Sequence, residues 1–176
     1  ILDAAREGDV VFLTAGDPMI STTHVDLRLR AQERGIETGL IHGPTAQAAA
    51  SSQTGLQNYR FGKATTLPFP RAHGGEGVPE SVLETIEENL ERGLHTLVYL
   101  DIKVEDNAGT DAADTFMSGS TAAGLLAEHW RPEQLGVVVA RAGSPDPTVR
   151  ADRLAELGGM DFGGPLHLLV LPGDLH

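Results

Sequence analysis

The sequence predicts an α/β fold, and three observations carry that expectation. Apolar runs of strand length recur at residues 10–13, 97–100, 136–140 and 166–171, the first of them β-branched. Segments of helical spacing or helical composition lie between them, a βαβα order that argues for mostly parallel sheets. Polar residues then fall on turns at strand ends, where open α/β sheets bind their ligands.

The first unit is Asp9-Val-Val-Phe-Leu-Thr-Ala-Gly-Asp-Pro-Met-Ile-Ser-Thr-Thr-His24. Residues 10–13 are expected to form a strand buried on both faces. Ala15-Gly16-Asp17-Pro18 breaks it, because Gly16 tolerates positive φ and Pro18 biases Asp17 away from the α region. Thr22 or Thr23 can cap the helix that follows, with Asp26 in its first turn and Gly35 as its natural end.

Residues 37–42 are expected to form a second strand, and Gly43-Pro44-Thr45 a turn into a short helix of small residues over 46–52. Such a helix permits close approach of a flat ligand or tight packing on a sheet. The Thr45 hydroxyl can bond a ligand or cap that helix. Residues 54–62 are polar and glycine-punctuated, as at a junction between two halves, and a strand is expected over 63–69. Residues 79–92 give the clearest helix, with Val82, Ile86 and Leu90 at four-residue steps beside Leu83. A strand at 97–100, a helix over 120–129, a strand at 136–140, a helix over 148–157 and a last strand at 166–171 complete the order. The loops at 71–77 and 104–115 contain glycine and lack apolar periodicity, so they are expected to be mobile.

Composition narrows the function classes. The 176 residues carry 25 acidic and 13 basic side chains, a formal net charge of -12, which disfavours broad nucleic-acid binding. Acidity of this degree with only two lysines, Lys63 and Lys103, also suits a salt-rich cytoplasm. The absence of cysteine excludes disulfides, thiolate metal sites and a cysteine nucleophile. No apolar run reaches the ~18–20 residues that would span a bilayer, so a membrane role is not expected. The chain begins at Ile1 inside what looks like a helix end, as a fragment would.

Seven histidines occur without an i, i+4 pair or a His-Glu-x-x-His motif, so no metal is expected. Met117-Ser-Gly-Ser-Thr departs from the Gly-x-Ser-x-Gly of serine hydrolases, and no P-loop is present. What remains is a set of polar residues at strand ends, Asp17, Thr45, Asp101, Arg141 and His167, suited to a small-molecule cleft. Asp17 is either a ligand-binding carboxylate or a turn-maker. His167, one residue into an apolar strand, is either a core histidine or a ligand contact.

Longer blocks then become informative. Leu13-Thr-Ala-Gly-Asp-Pro-Met-Ile-Ser-Thr-Thr-His24, Gly55-Leu-Gln-Asn-Tyr-Arg-Phe-Gly-Lys63, Arg92-Gly-Leu-His-Thr-Leu-Val-Tyr-Leu-Asp-Ile-Lys103, Ala140-Arg-Ala-Gly-Ser144 and Phe162-Gly-Gly-Pro-Leu-His-Leu-Leu-Val-Leu-Pro-Gly173 resemble the diphthine synthase family in its archaeal form. The Gly-Asp-Pro loop marks the wider tetrapyrrole-methylase fold, while the Arg-Gly-Leu-His-Thr-Leu block and the closing Pro-Leu-His segment are narrower. The resemblance implies an S-adenosyl-L-methionine-dependent methyltransferase of diphthamide biosynthesis. Its implied substrate is a 3-carboxy-3-aminopropyl-histidine of translation elongation factor two, methylated on the amine, with S-adenosyl-L-homocysteine as by-product.

The same resemblance implies a two-domain tetrapyrrole methylase-like fold with the cofactor in a cleft between the domains, here 1–60, lacking the family's first strand region, and 61–176. It further implies a cytoplasmic homodimer. By position, the family's cofactor contacts fall on Asp17, Ile20, Thr45, Ala46, Leu100, Ala142 and His167, which moves His167 toward a contact. No residue is identified as the base, since proton transfer to water or a nearby carboxylate is adequate. The alternatives are a precorrin or porphyrin methyltransferase of the same fold, or a non-catalytic nucleotide-binding module if the N-terminal truncation is real.

Overall fold

A computed structural model of the chain describes residues 1–72, 75, 77–103 and 115–175. Most of the loop expected over 104–115, and residues 73, 74 and 76 of the loop expected over 71–77, lie outside the described residues. The chain divides into two compact units, residues 1–48 and 49–176, earlier than the expected 60/61. Residues 49–60 go with the second unit because Ala50 and Leu56 pack with Leu97, Val137, Val139 and Val170.

In the first unit, helix α1 (His24–Glu33) forms where expected, and Gly35 follows it at φ 68°. Thr23 occupies the N-cap position, but its side chain makes no capping bond. The entry is held instead by the His24 ring, whose Nδ1 donates to the Pro18 carbonyl at 2.9 Å. Asp26 meets Arg30 one turn on, at 2.9 Å. Neither strand expected in this unit forms. Residues 10–13 and 37–42 have no ladder partner among the described residues, and Val11, Leu13 and Ile41 are 80%, 85% and 89% exposed. β-Branched composition expresses a fit to a pleated, half-buried surface, so it specifies a strand only where neighbours supply that surface. Helix α2 (Ala46–Thr54) runs from this unit into the next.

The second unit is built on a five-stranded sheet of order β1-β2-β7-β5-β6. Its strands are β1 (Thr65–Leu67), β2 (Thr96–Leu100), β5 (Leu135–Ala140), β6 (Thr148–Arg153) and β7 (His167–Leu171). A separate two-stranded ladder joins β3 (Ile102–Lys103) to β4 (Thr115–Phe116). Strand alternation divides the core. Val98, Leu100, Val138, Ala140, Leu169 and Leu171 face one cluster, with Val82 and Ile86 of α3 (Glu80–Glu91), Ala122 and Leu126 of α4 (Gly119–His129), and Leu154 and Leu157 of α5 (Leu154–Leu157). Leu97, Val137, Val139 and Val170 face the other way, onto Ala50. Residues 97–100, 136–140 and 166–171 therefore read as continuous apolar runs because both sheet faces are covered.

Two expectations are corrected here. The helix predicted over 148–157 is strand β6 followed by the single turn α5. Leu154 and Leu157, buried three residues apart, are genuinely helical, but Thr148-Val-Arg-Ala-Asp-Arg153 is an edge strand with no fully buried residue and with Arg150 and Arg153 exposed. With no crossover helix after β5, the chain returns by a hairpin, β6 pairing antiparallel to β5 from Ala140↔Thr148 to Leu135↔Arg153. The sheet is accordingly not mostly parallel: β1 and β2 pair in parallel, while the β2–β7, β5–β7 and β5–β6 ladders are antiparallel. Among the described residues, no helix is long and apolar enough to cross a membrane.

Candidate functional site

The candidate residues fall into two groups, one in each unit. In the first unit they surround two loops that approach backbone to backbone. Gly16 takes φ 87°, and a Cβ on Gly43 would lie 2.5 Å from the Gly16 carbonyl oxygen, so the approach requires glycine. Asp17 fastens the two loops. Its Oδ1 accepts from the Met19 amide at 2.8 Å, and its Oδ2 accepts from His42 Nδ1 at 2.8 Å and from the Gly43 amide at 3.3 Å. The Asp17 side chain is 6% exposed, while His42, at 75%, stands in solvent. The Met19 amide first, and then the His42 ring N–H, hold the Asp17 carboxyl below the usual carboxylate range, with burial pushing the other way.

Asp17 is thus a turn-maker in the geometry seen, with its oxygens largely committed within the unit. Ile20 ends the same turn, its amide donating to the Asp17 carbonyl at 3.4 Å and its side chain exposed. Thr45 Oγ1 accepts from the Ala48 amide at 3.1 Å, the capping role, and its hydroxyl proton is left to donate elsewhere. Ala46 opens α2 beside it and is exposed. The structure therefore brings Asp17, Ile20, Thr45 and Ala46 onto two adjoining loops.

In the second unit, register gathers Leu100, Ala142 and His167 at one end of the sheet. Tyr99 pairs with Leu168, and Ala140 with His167, so the end of β2, the start of β7 and the exit of β5 lie side by side. His167 is buried and spends both ring nitrogens inside the protein. Nδ1 accepts from the Gly119 amide at 2.9 Å, which makes Nε2 the protonated nitrogen, and Nε2 donates to the Gly164 carbonyl at 2.9 Å. The ring therefore ties the N-terminus of α4 to the loop before β7. The core role and a contact through the backbone of His167 are compatible; a contact through the ring is not compatible with this bonding.

Arg141 leaves β5 at φ 53° and anchors the same end. Its Nη1 donates to the Phe162 carbonyl at 2.6 Å and to the Gly164 carbonyl at 3.2 Å, and its Nη2 donates to Thr148 Oγ1 at 2.7 Å. Asp101 likewise serves the frame, its Oδ2 accepting from the Phe69 amide at 3.0 Å. Gln53, on α2, donates from Nε2 to the Ala142 carbonyl at 2.6 Å, while its Oε1 is buried without a partner among the described residues. Sequence reasoning missed Gln53, since a glutamine in a helix of alanine, serine and threonine looks solvated. It also missed the partnership of His42 with Asp17, which joins positions 25 residues apart. Among the described residues, no group of three or more histidine, aspartate or glutamate side chains is placed to hold a metal.

His167→Leu is expected to lower stability by about 2 kcal/mol, because it leaves the Gly119 amide without its acceptor and Gly164 with one donor fewer. Urea unfolding reads this directly, and an unchanged midpoint would assign the ring no structural share.

Comparison with known proteins places this frame. A family model of the Tetrapyrrole (Corrin/Porphyrin) Methylases matches residues 1–158. Proteins named diphthine synthase match along the whole chain: that of Halobacterium salinarum is 70% identical over 176 residues, covering 67% of its own length, and that of Haloarcula marismortui is 66% identical, covering 68%. A crystal structure of diphthine synthase superposes with a TM-score of 0.83 at 34% identity, over 99% of this chain and 64% of that one. The chain belongs to the diphthine synthase family of the tetrapyrrole methylases, and so to the methyltransferases. It spans about two thirds of the length of these relatives.

Proposed function

We propose that this chain methylates the amine of the 3-carboxy-3-aminopropyl-histidine of translation elongation factor two, with S-adenosyl-L-methionine as donor, in diphthamide biosynthesis. The observation that carries the reading is the 70% identity with a diphthine synthase over all 176 residues. In the same proposal the protein is a cytoplasmic homodimer, and Asp17, Ile20, Thr45, Ala46, Leu100, Ala142 and His167 border the cofactor.

The residues present suit such a group in kind. Ala46 and Ala142 are small, and a Cβ on Gly143 would meet nothing within 4 Å, so the backbone leaving β5 borders open space that a flat ring can enter. The Thr45 hydroxyl keeps a proton to donate after accepting from Ala48. S-adenosylmethionine, when bound, supplies a methyl group already activated on a sulfonium. The protein's share is then alignment and exclusion of water. Arg141, His167 and Gln53 hold the sheet-end loops in place, and Asp17 holds the two loops of the first unit. The substrate amine must be neutral to attack, and its proton passes to water or a nearby carboxylate.

Methyl transfer to elongation factor two bearing the modified histidine, read by intact-mass spectrometry, tests the proposal. Mass increments of one methyl group or more on the modified factor, and none on the unmodified factor, are expected. Methylation of a porphyrin or corrin precursor in place of the factor would overturn it.

A further inference from the structure

We propose that Gln53 is a positioning residue that fixes the peptide plane between Ala142 and Gly143, and through it the affinity for the adenosyl group. The second half rests on the reading above that Ala142 borders the cofactor. Gln53 Nε2 donates to the Ala142 carbonyl at 2.6 Å, across a separation of 89 residues. The amide's orientation follows from chemistry, since only its NH2 can donate to a carbonyl oxygen. Oε1 is then buried and, among the described residues, unpaired.

A side chain that makes one hydrogen bond and strands one acceptor gives folding little net gain, because the two contributions oppose each other. Stability alone is a poor account of Gln53. What its bond does achieve is orientation. A peptide unit is planar and trans, so turning the Ala142 carbonyl toward α2 turns the Gly143 N–H the opposite way. That N–H belongs to the residue whose Cα faces open space. Arg141 is already fixed by its guanidinium bonds and by its carbonyl, which accepts from the Ser144 amide at 2.8 Å. Gln53 adds the restraint on the next peptide. It acts through backbone, so it is a positioning residue and touches no reacting atom.

The test compares Gln53→Met, similar in length but unable to donate, with the unaltered protein. Three results are expected. Tm stays within about 2 °C, since one bond and one stranded acceptor leave together and Ala142, partly exposed, can turn its carbonyl to water. Amide exchange at residues 143 and 144 quickens in the absence of cofactor. The dissociation constant for S-adenosylhomocysteine, by calorimetry, rises on the order of tenfold, with KM for the methyl donor raised and kcat unchanged. A sharp fall in Tm would make Gln53 a stability residue and overturn the proposal, as would unchanged exchange. Unchanged affinity beside quickened exchange would overturn the link to the cofactor. If the unaltered protein fails to bind S-adenosylhomocysteine while exchange quickens in the variant, positioning by Gln53 is supported and the cofactor reading is what fails.

Discussion

Asn89→Leu is expected to destabilise the protein by about 3 kcal/mol, among the largest losses available to a single substitution. Asn89 is buried on α3 and uses its whole amide. Nδ2 donates to the Lys63 carbonyl at 2.8 Å and to Thr96 Oγ1 at 2.9 Å, and Oδ1 accepts from the Lys63 amide at 3.2 Å. One side chain thus pins the approach to β1 and the start of β2 to the helix covering them. Leucine keeps the branched outline but leaves the Thr96 hydroxyl, on a fully buried residue, without its donor. Gly62 supplies an internal check. A Cβ there would collide with the Asn89 amide oxygen, so Gly62→Ala is also expected to be costly. The two costs share one cause, and shortening residue 89 removes it. The double variant Gly62→Ala/Asn89→Ala should therefore cost clearly less than the sum of its single variants in urea unfolding. Strict additivity would show that the collision is relieved elsewhere.

Asn89 also shows what was legible in the sequence. Its helix was plain from Val82, Ile86 and Leu90, because apolar spacing reports a covered face. That the same face buries an asparagine was not, since its three partners come from Lys63 and Thr96, and spacing along one helix carries no information about neighbours. The strands at 97–100, 136–140 and 166–171 were recoverable because burial on both faces leaves a continuous apolar run. The same rule failed at residues 10–13, where the run is present and the covering surface is not among the described residues. Strand β6 was lost to two leucines that belong to the turn after it. In the candidate site, Asp17, Thr45 and His167 stood out by residue type and strand-end position. Their present bonds to Gly43, Ala48 and Gly119 depend on loop closure, which one-dimensional pattern does not encode.

Asp17→Ala is expected to abolish measurable methyl transfer and to weaken S-adenosylhomocysteine binding by roughly tenfold to a hundredfold, while Asp17→Asn keeps part of both. Alanine removes the shared acceptor of three donors at once, the Met19 and Gly43 amides and the His42 ring N–H. The loops that carry Asp17, Ile20, Thr45 and Ala46 then lose the group that ties them together. Asparagine keeps an acceptor oxygen for the Met19 amide, while its NH2 takes the position that the Gly43 amide and His42 share. A change of His42 tautomer lets its Nδ1 accept from the new NH2, so part of the shape survives without the charge and the Gly43 amide alone loses its acceptor. The acid limb separates the two effects. Because the Asp17 carboxyl titrates below its ordinary value of 3.8 in the folded protein, its contribution to stability is fully present above that value. It is lost as pH falls through the lower, folded value, and neutral pH leaves it intact. Tm followed from about pH 7 to pH 3 should therefore fall more steeply at the acid end for the unaltered protein than for Asp17→Asn. A dissociation constant unchanged in Asp17→Ala, alongside a large fall in Tm, would confine Asp17 to the turn and remove it from the cofactor's surroundings.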